Sequence, residues 1–331
     1  MKPRVLCTRE LPGPAMTRLR QETELTLNTL GRQLTPEELL AQVRGQEGLL
    51  TMLADPITRA VLEAGRPTLK VVSNYAVGFN NIDVAAATEL GIAVTNTPGV
   101  LTETTADLAW ALLLAVARRV VEGDHFQRAG RFKGWEPQLL LGLDVFGKTL
   151  GIVGMGRIGQ AVVRRAHGFS MRVLYFSHHR LETDEEKILG VTYAPLPQLL
   201  AESDFVSVHV PLTPETHHLI GERELRSMKK TAILVNTARG PVIDETALVR
   251  ALQEGWIAGA GLDVYENEPL MAPGLAEQSS AVLLPHLGSA SRETREKMAT
   301  MAVDDLLALL RGERPAHLVN PEVWSKIEQT K

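Results

Sequence analysis

Near the middle of the chain, Thr149-Leu-Gly-Ile-Val153 runs directly into Gly154-Met155-Gly156-Arg157-Ile158-Gly159 and then into Gln160-Ala-Val-Val163. The apolar, β-branched run predicts a strand, and the segment after the glycines predicts a helix. Each glycine has its own physical task. Gly154 permits the tight turn, Gly156 lets the backbone close on a pyrophosphate at the helix N-terminus, and Gly159 lets the helix lie close to the strand. In this setting the loop predicts a dinucleotide site on a doubly wound α/β sheet. A tight βα turn with no ligand is the plainer alternative.

The next strand, Arg172–Phe176, should end at the adenosine ribose. An NAD site usually offers an acidic side chain there, to hold the ribose hydroxyls. This chain reads Ser177-His178-His179-Arg180. Ser177 can hydrogen-bond a 2′-phosphate and Arg180 can pair with it. NADP(H) is therefore the expected preference, with NAD(H) possible. A solvated loop with relaxed cofactor choice is the competing reading.

Short β-branched runs alternate with helical segments throughout, which argues for parallel α/β sheets. Strands are expected at Arg4–Thr8, Gly48–Met52, Leu69–Asn74 and Ile92–Thr95, up to a turn or hinge at Asn96-Thr-Pro-Gly99. One helix opens at Thr35, an N-cap followed by proline. A long helix over about Glu103–Arg119 follows the turn. The second series places strands at Thr149–Val153, Arg172–Phe176, Phe205–His209, Ala232–Asn236, Gly259–Asp263 and Val282–Leu284. These runs are continuously apolar, as expected for strands covered on both faces. An amphipathic helix over about Ser291–Arg311 ends the pattern.

Three segments stand at the ends of the later strands, where open α/β sheets bind ligands. They are Asn236-Thr237-Ala238-Arg239-Gly240, Asp263-Val-Tyr-Glu-Asn-Glu268-Pro269 and Pro285-His286-Leu-Gly288-Ser289. Reducing a 2-keto acid needs a cation for the carboxylate, a hydride source and a proton donor for the carbonyl oxygen. Arg239 can supply the first as a bidentate fork. His286 can supply the proton. Glu268 can orient His286 and hold it protonated, with Pro269 restricting Glu268 to extended geometry. Singly, each has a plainer role: a helix-end contact, an exposed loop acid, a satisfied turn histidine. All three closing successive strands of one dinucleotide-binding sheet point to catalysis.

Composition narrows the field further. The chain has 331 residues, which suits two domains. Net charge is -4 with no basic block, so nothing marks a nucleic-acid or anionic-membrane surface. The longest apolar run, Leu108–Ala117, is about half of what a bilayer span needs and reads as a buried helix. Cys7 is the single cysteine, so no internal disulfide or cysteine-based metal site is available. No metal is expected, and a reduced, cytoplasmic setting fits.

With these segments in view, the chain resembles the D-isomer-specific 2-hydroxyacid dehydrogenase family over nearly its whole length. Within that family it is most similar to glyoxylate/hydroxypyruvate reductases. Supporting pieces are Asn74-Tyr-Ala-Val77-Gly78-Phe-Asn80-Asn81-Ile-Asp83, Asn96-Thr-Pro-Gly-Val-Leu-Thr102, Thr105-Ala-Asp107, Trp135-Glu-Pro137 and the non-acidic Ser177 loop. The resemblance implies two Rossmann-like or flavodoxin-like doubly wound domains. A cofactor domain, residues 99–289, is inserted into a discontinuous substrate domain, residues 1–98 and 290–331, with the active site in the cleft.

The resemblance also implies roles. Arg239, Glu268 and His286 become the catalytic three. Val77 and Gly78 offer backbone N–H groups to the substrate carboxylate, and Ser289, Leu53 and Trp135 lie close to substrate. Thr105, Pro211, Thr237, Ala238, Asp263 and Gly288 join the glycine loop around the cofactor, with Asp263 beside the nicotinamide. In the reductases a tryptophan matching Trp135 reaches the partner subunit's active site; a core or interface anchor is the alternative for it. A homodimer through the cofactor domain is implied, with the Glu103–Arg119 helix contributing. Formate dehydrogenases of the family pair their histidine with an amide, so Glu268 favours carbonyl reduction. Two other readings stay open: a bulkier 2-keto acid as substrate, and a dinucleotide-sensing binding protein of the same fold.

Overall fold

The computed structural model describes residues 1–329. The chain divides into two compact units, Met1–Leu101 with Ser289–Lys331, and Thr102–Gly288. Each is built on its own parallel sheet.

In the first unit the strands are β1 (Arg4–Cys7), β2 (Glu24–Leu27), β3 (Gly48–Met52), β4 (Val71–Tyr75) and β5 (Ala93–Thr95), in the order β2-β1-β3-β4-β5. The buried stretches of β1, β3, β4 and β5 have helices on both faces, which is why they read as unbroken apolar runs. The helix Pro36–Gln42 opens at Thr35 with a full capping box to Glu38. The helix Arg292–Leu310 starts at Ser291, whose hydroxyl accepts from the Thr294 N–H. It is not amphipathic throughout. Ala302, Val303, Leu306, Leu307 and Leu309 are buried together with Asp305, so its second half is enclosed on more than one face. Asp305 tolerates this burial because it accepts from the Ala316 N–H and pairs with His317 at 2.8 Å.

The second unit carries β6 (Thr149–Val153), β7 (Arg172–Phe176), β8 (Val191–Tyr193), β9 (Phe205–Val208), β10 (Ile233–Asn236), β11 (Gly259–Leu262) and β12 (Ala281–Leu283). Their order is β12-β11-β10-β9-β6-β7-β8, all parallel. From β6 the chain builds outward in one direction through β7 and β8. It then returns to β9 and builds in the other. The carboxyl ends of β6 and β9 therefore flank the switch point, where such sheets bind ligands.

Two strands escaped the sequence reading, β2 and β8. Both are edge strands, and β8 has three residues. Glu24–Leu27 follows its helix with no glycine or proline to mark the break, and its residues alternate between exposed and half-buried. The helix expected over Glu103–Arg119 spans Thr102–Ala117 and serves its own unit's core. Ala106, Ala109, Trp110, Leu112, Leu113 and Ala117 are buried, and the Trp110 indole donates to the Val162 carbonyl at 3.1 Å. No helix among the described residues is long and apolar enough to cross a membrane.

Candidate active site

The glycine loop sits at the switch point of the second unit. Gly154 has φ +105°, a region closed to most side chains, and its N–H donates to the Phe176 carbonyl at the end of β7. A Cβ there would stand 2.7 Å from the His209 carbonyl carbon and the Val210 nitrogen, so the turn after β6 can pass the chain after β9 only as glycine. A Cβ on Gly159 would stand 2.2 Å from the Gly154 carbonyl oxygen. Gly156 differs: a Cβ there meets nothing within 4 Å. Its lack of a side chain answers no demand of the fold. It leaves open space at the N-terminus of the helix Arg157–Ala166, where a pyrophosphate is favoured. Met155 is buried beneath the turn, while Arg157 is exposed and Ile158 half-buried.

The loop after β7 holds a half-buried Ser177 and exposed His178, His179 and Arg180. Arg180 is not alone. Its Nε and Nη2 donate to the Glu186 carboxylate at 2.8 and 3.1 Å. Pro211 is exposed beyond β9, and its carbonyl accepts from the Thr216 hydroxyl. His209, just before it, has Nε2 2.8 Å from the Ser207 hydroxyl, and burial pushes its imidazole down to about 4.

The three catalytic candidates follow β10, β11 and β12. After β10, the Asn236 amide braces the turn, accepting from the Ala238 N–H and donating to the Arg239 carbonyl, both at 3.0 Å. Arg239 donates through Nη1 to the Ala238 carbonyl at 2.6 Å. Burial pulls its guanidinium below the ordinary value, while the Glu268 charge opposes that pull. Gly240 then passes so close to the next segment that a Cβ would lie 1.9 Å from the Tyr265 carbonyl carbon and oxygen. The Arg239 turn and the Glu268 segment thus touch through backbone.

After β11, the Tyr265 N–H donates to Glu268 Oε1 at 3.1 Å, and the Tyr265 hydroxyl donates to the Leu284 carbonyl at 2.9 Å. Tyr265 therefore ties the Glu268 segment to the chain just before His286. The Glu268–Pro269 peptide is cis, where sequence suggested only an extended residue before proline. Glu268 Oε2 lies 2.8 Å from His286 Nδ1. Burial acts to raise the Glu268 carboxyl. The bond from His286 and the charges of His286 and Arg239 outweigh it and hold the carboxyl below its usual value.

His286 itself has φ +56°, an uncommon backbone for a residue with a side chain. Asp263 holds it there. The Asp263 carbonyl accepts from the His286 N–H at 3.0 Å, and its carboxylate accepts from the Leu287 and Gly288 N–H groups at 2.6 and 2.8 Å. Asp263 is 1% exposed, and burial pushes its carboxyl up. Thr105 adds a further tie, its hydroxyl donating to the Gly288 carbonyl at 2.9 Å. Asp263, Thr105 and Gly288, expected at the cofactor, thus also form a clasp on the His286 turn that no local sequence signal marks. The buried Thr237 hydroxyl, by contrast, has no hydrogen-bond partner, which suits a ligand-facing position.

In the first unit, Leu53 follows β3, and Val77 and Gly78 follow β4; all three are half-buried, as is Ser289. The Asn96 amide donates to the Val77 carbonyl at 2.7 Å and the Asn74 amide to the Gly78 carbonyl at 2.8 Å. These asparagines fix the turn by its carbonyls, and neither the Val77 nor the Gly78 N–H donates to another described backbone carbonyl. Trp135 is 83% exposed, so the core reading of that residue is excluded. It belongs to an exposed apolar series with Val120, Val121, Phe132, Leu141 and Phe146, just beyond the helix Thr102–Ala117. His217, His218 and Glu266 approach one another closely enough to suggest a metal site. The two rings stack at 4.0 Å with 28° between planes, and His218 Nε2 already pairs with Glu266 Oε1 at 2.7 Å.

A glycine turn at the switch point, with an arginine, a carboxylate and an imidazole on successive strand ends, defines a dinucleotide-dependent oxidoreductase domain. Comparison with known proteins agrees. The sequence profile of the D-isomer specific 2-hydroxyacid dehydrogenase NAD-binding domain matches residues 110–288. A glyoxylate reductase of Korarchaeum cryptofilum is 56% identical over 325 residues, covering 98% of this chain and 97% of its own. One from Pyrococcus horikoshii is 53% identical over 327 residues, covering 98% and 97%. The crystal structure of an NADPH-dependent glyoxylate/hydroxypyruvate reductase from Sinorhizobium meliloti, in complex with NADP and malonate, superposes with a TM-score of 0.84 at 34% identity, covering 96% of this chain and 97% of its own. The chain belongs to the D-isomer-specific 2-hydroxyacid dehydrogenase family and is of its glyoxylate reductase type. It is an oxidoreductase that uses a nicotinamide cofactor.

Proposed function

We propose that the protein reduces glyoxylate, and hydroxypyruvate with it, to glycolate and D-glycerate, using NADPH in preference to NADH. The observation that carries this reading is the 2.8 Å pairing of Glu268 with His286 Nδ1, beside Arg239 on the same sheet end. A proton on Nδ1 donates to Glu268, which directs Nε2 outward as the proton-transferring atom.

When bound, the reduced nicotinamide supplies the hydride. The glycine loop Gly154–Gly159 would hold the pyrophosphate, Thr237 and Ala238 would contact the cofactor beyond it, and Ser177 would meet the adenosine ribose. Arg239 grips the substrate carboxylate and, being largely buried, does so against little competition from water. His286 gives its Nε2 proton to the carbonyl oxygen as the carbonyl carbon becomes a C–H centre, and Glu268 stabilises the imidazolium before the transfer. Asp263 keeps the His286 turn fixed while this happens.

The exposed apolar series at Val120, Val121, Phe132, Trp135, Leu141 and Phe146 is proposed as the homodimer surface of this unit. Steady-state rates with a panel of 2-keto acids, each with NADPH and NADH, test the assignment. Glyoxylate with NADPH should give the highest kcat/KM. A bulkier 2-keto acid at the top would replace the substrate. Tight cofactor binding with no consumption of any substrate would point to a sensor.

A further inference from the structure

The loop that follows β7 carries the cationic side chain assigned to a 2′-phosphate, yet that side chain is already engaged. Arg180 presents its Nε–Nη2 edge to Glu186 in a two-pronged ion pair at 2.8 and 3.1 Å. Glu186, on the helix Thr183–Leu189, is fixed in turn. Its Oε1 accepts from the Tyr175 hydroxyl at 2.7 Å, and that hydroxyl accepts from the Leu181 N–H at 2.9 Å. The Glu186 side chain is 12% exposed and the Arg180 side chain 61%. The anion is thus the anchored partner and the cation is the one held. The Tyr193 ring lies under the guanidinium at 5.2 Å, adding a second hold.

We propose that Glu186 limits the cofactor preference of this chain: by pinning Arg180 in an internal ion pair it withholds part of that cation from the 2′-phosphate, so that NADPH gains less over NADH than a free Arg180 would give it. The inference rests on the reading that the adenosine ribose lies at the Ser177–Arg180 loop. A 2′-phosphate can reach Arg180 in two ways. It can displace Glu186 from the Nε–Nη2 edge, leaving a poorly solvated carboxylate without its cation. Or it can meet Nη1 end-on with the Glu186 charge close behind. Both cancel much of the attraction that a free arginine would give. NADH asks nothing of Arg180, because its ribose carries hydroxyls, which Ser177 can meet. Preference then becomes a matter of how firmly Glu186 holds on, and that is set by Tyr175 on β7 and by the Leu181 N–H next to Arg180.

The test is calorimetric binding of NADPH and of NADH to the ligand-free protein, with no substrate present. Wild type is compared with Glu186→Gln, Arg180→Ala and the double variant. Glutamine keeps the size of the side chain and an oxygen for the Tyr175 hydroxyl, but not the charge. Glu186→Gln should tighten NADPH by about fivefold and leave NADH within about twofold. Arg180→Ala alone should weaken NADPH by less than about threefold, and in the double variant it should erase the whole gain. Glu186→Gln that leaves NADPH unchanged, or weakens it, overturns the proposal, since Glu186 would then be idle or a buttress that orients Arg180. Ser177→Asp serves as the control for location. If it lowers NADPH affinity relative to NADH while Glu186→Gln does nothing, only the role of Glu186 fails. If neither variant moves the ratio, the ribose is not at this loop and the underlying reading fails with it.

Discussion

Gly156 separates folding from binding more cleanly than any other residue of the glycine loop. A Cβ at Gly156 meets no heavy atom within 4 Å, and its backbone, φ -76° and ψ -169°, is open to alanine. Alanine is a poorer N-cap than glycine, but it also restricts the unfolded chain; these effects oppose one another and leave at most about 1 kcal/mol. Gly156→Ala should therefore change Tm by no more than roughly 3 °C. The same methyl group would stand where a pyrophosphate must approach the helix N-terminus. Losing one charge-assisted N–H contact costs about 1.5–3 kcal/mol, so cofactor affinity should fall roughly ten- to hundredfold. Gly159→Ala is the contrasting variant. Its Cβ would lie 2.2 Å from a backbone oxygen and 3.2 Å from Ile152 Cγ2, with little freedom to yield. That overpacking should cost about 2–3 kcal/mol, or roughly 5–10 °C. Thermal melts and calorimetric NADPH titrations of both variants read the two effects separately. Gly156→Ala with unchanged affinity, or with a melt as damaged as that of Gly159→Ala, would refute the idea that this glycine serves a ligand.

Other outcomes follow from the same geometry. Glu268→Gln removes the carboxylate that accepts from His286 Nδ1 and fixes the ring, so kcat for reduction should fall by about tenfold or more while the fold persists, as steady-state rates would show. Because the native Glu268 carboxyl lies below its ordinary value, its pairing stabilises the fold above the unfolded-chain value and is lost as pH falls through the lowered one. The melting difference between wild type and Glu268→Gln should accordingly close in acid, and a difference that grew there would contradict the pairing. Gly240→Ala drives a Cβ to 1.9 Å from the Tyr265 backbone, so it should destabilise by about 3 kcal/mol and lower kcat/KM by displacing Arg239, as urea melts and steady-state rates would show. Asp263→Asn keeps one acceptor where two backbone N–H groups need one each; kcat should drop about tenfold or more while the fold persists, and unchanged rates would argue against the clasp.

The doubly wound architecture was legible because its signals are local. Gly154, Gly156 and Gly159 sit beside one apolar strand, and the fully covered strands β6, β9 and β10 announce themselves as unbroken apolar runs. Two of the edge strands carry no such signal: β2 alternates between exposed and half-buried residues and β8 has only three, whereas the edge strands β5 and β12 kept short apolar runs. The pairing of Glu268 with His286 could be anticipated because each residue follows one of two neighbouring parallel strands, whose carboxyl ends lie side by side. What could not be read were contacts that depend on exact backbone path. The left-handed turn at His286, the Asp263 clasp beneath it, and the backbone crossing at Gly240 arise between segments many residues apart. The asparagine brace around Val77 and Gly78 is of the same kind. Glu186 stayed hidden for another reason: an acid in the first turn of a helix is ordinary in sequence, and only the fold shows that it faces Arg180.

The most direct test of the account joins cofactor binding to turnover in one variant, His286→Ala. NADPH should bind within about threefold of the wild-type affinity by calorimetry, while the rate of NADPH consumption with glyoxylate should fall by about a hundredfold or more across the pH range. Near-wild-type consumption by a folded His286→Ala protein would contradict the claim that this imidazole delivers the proton.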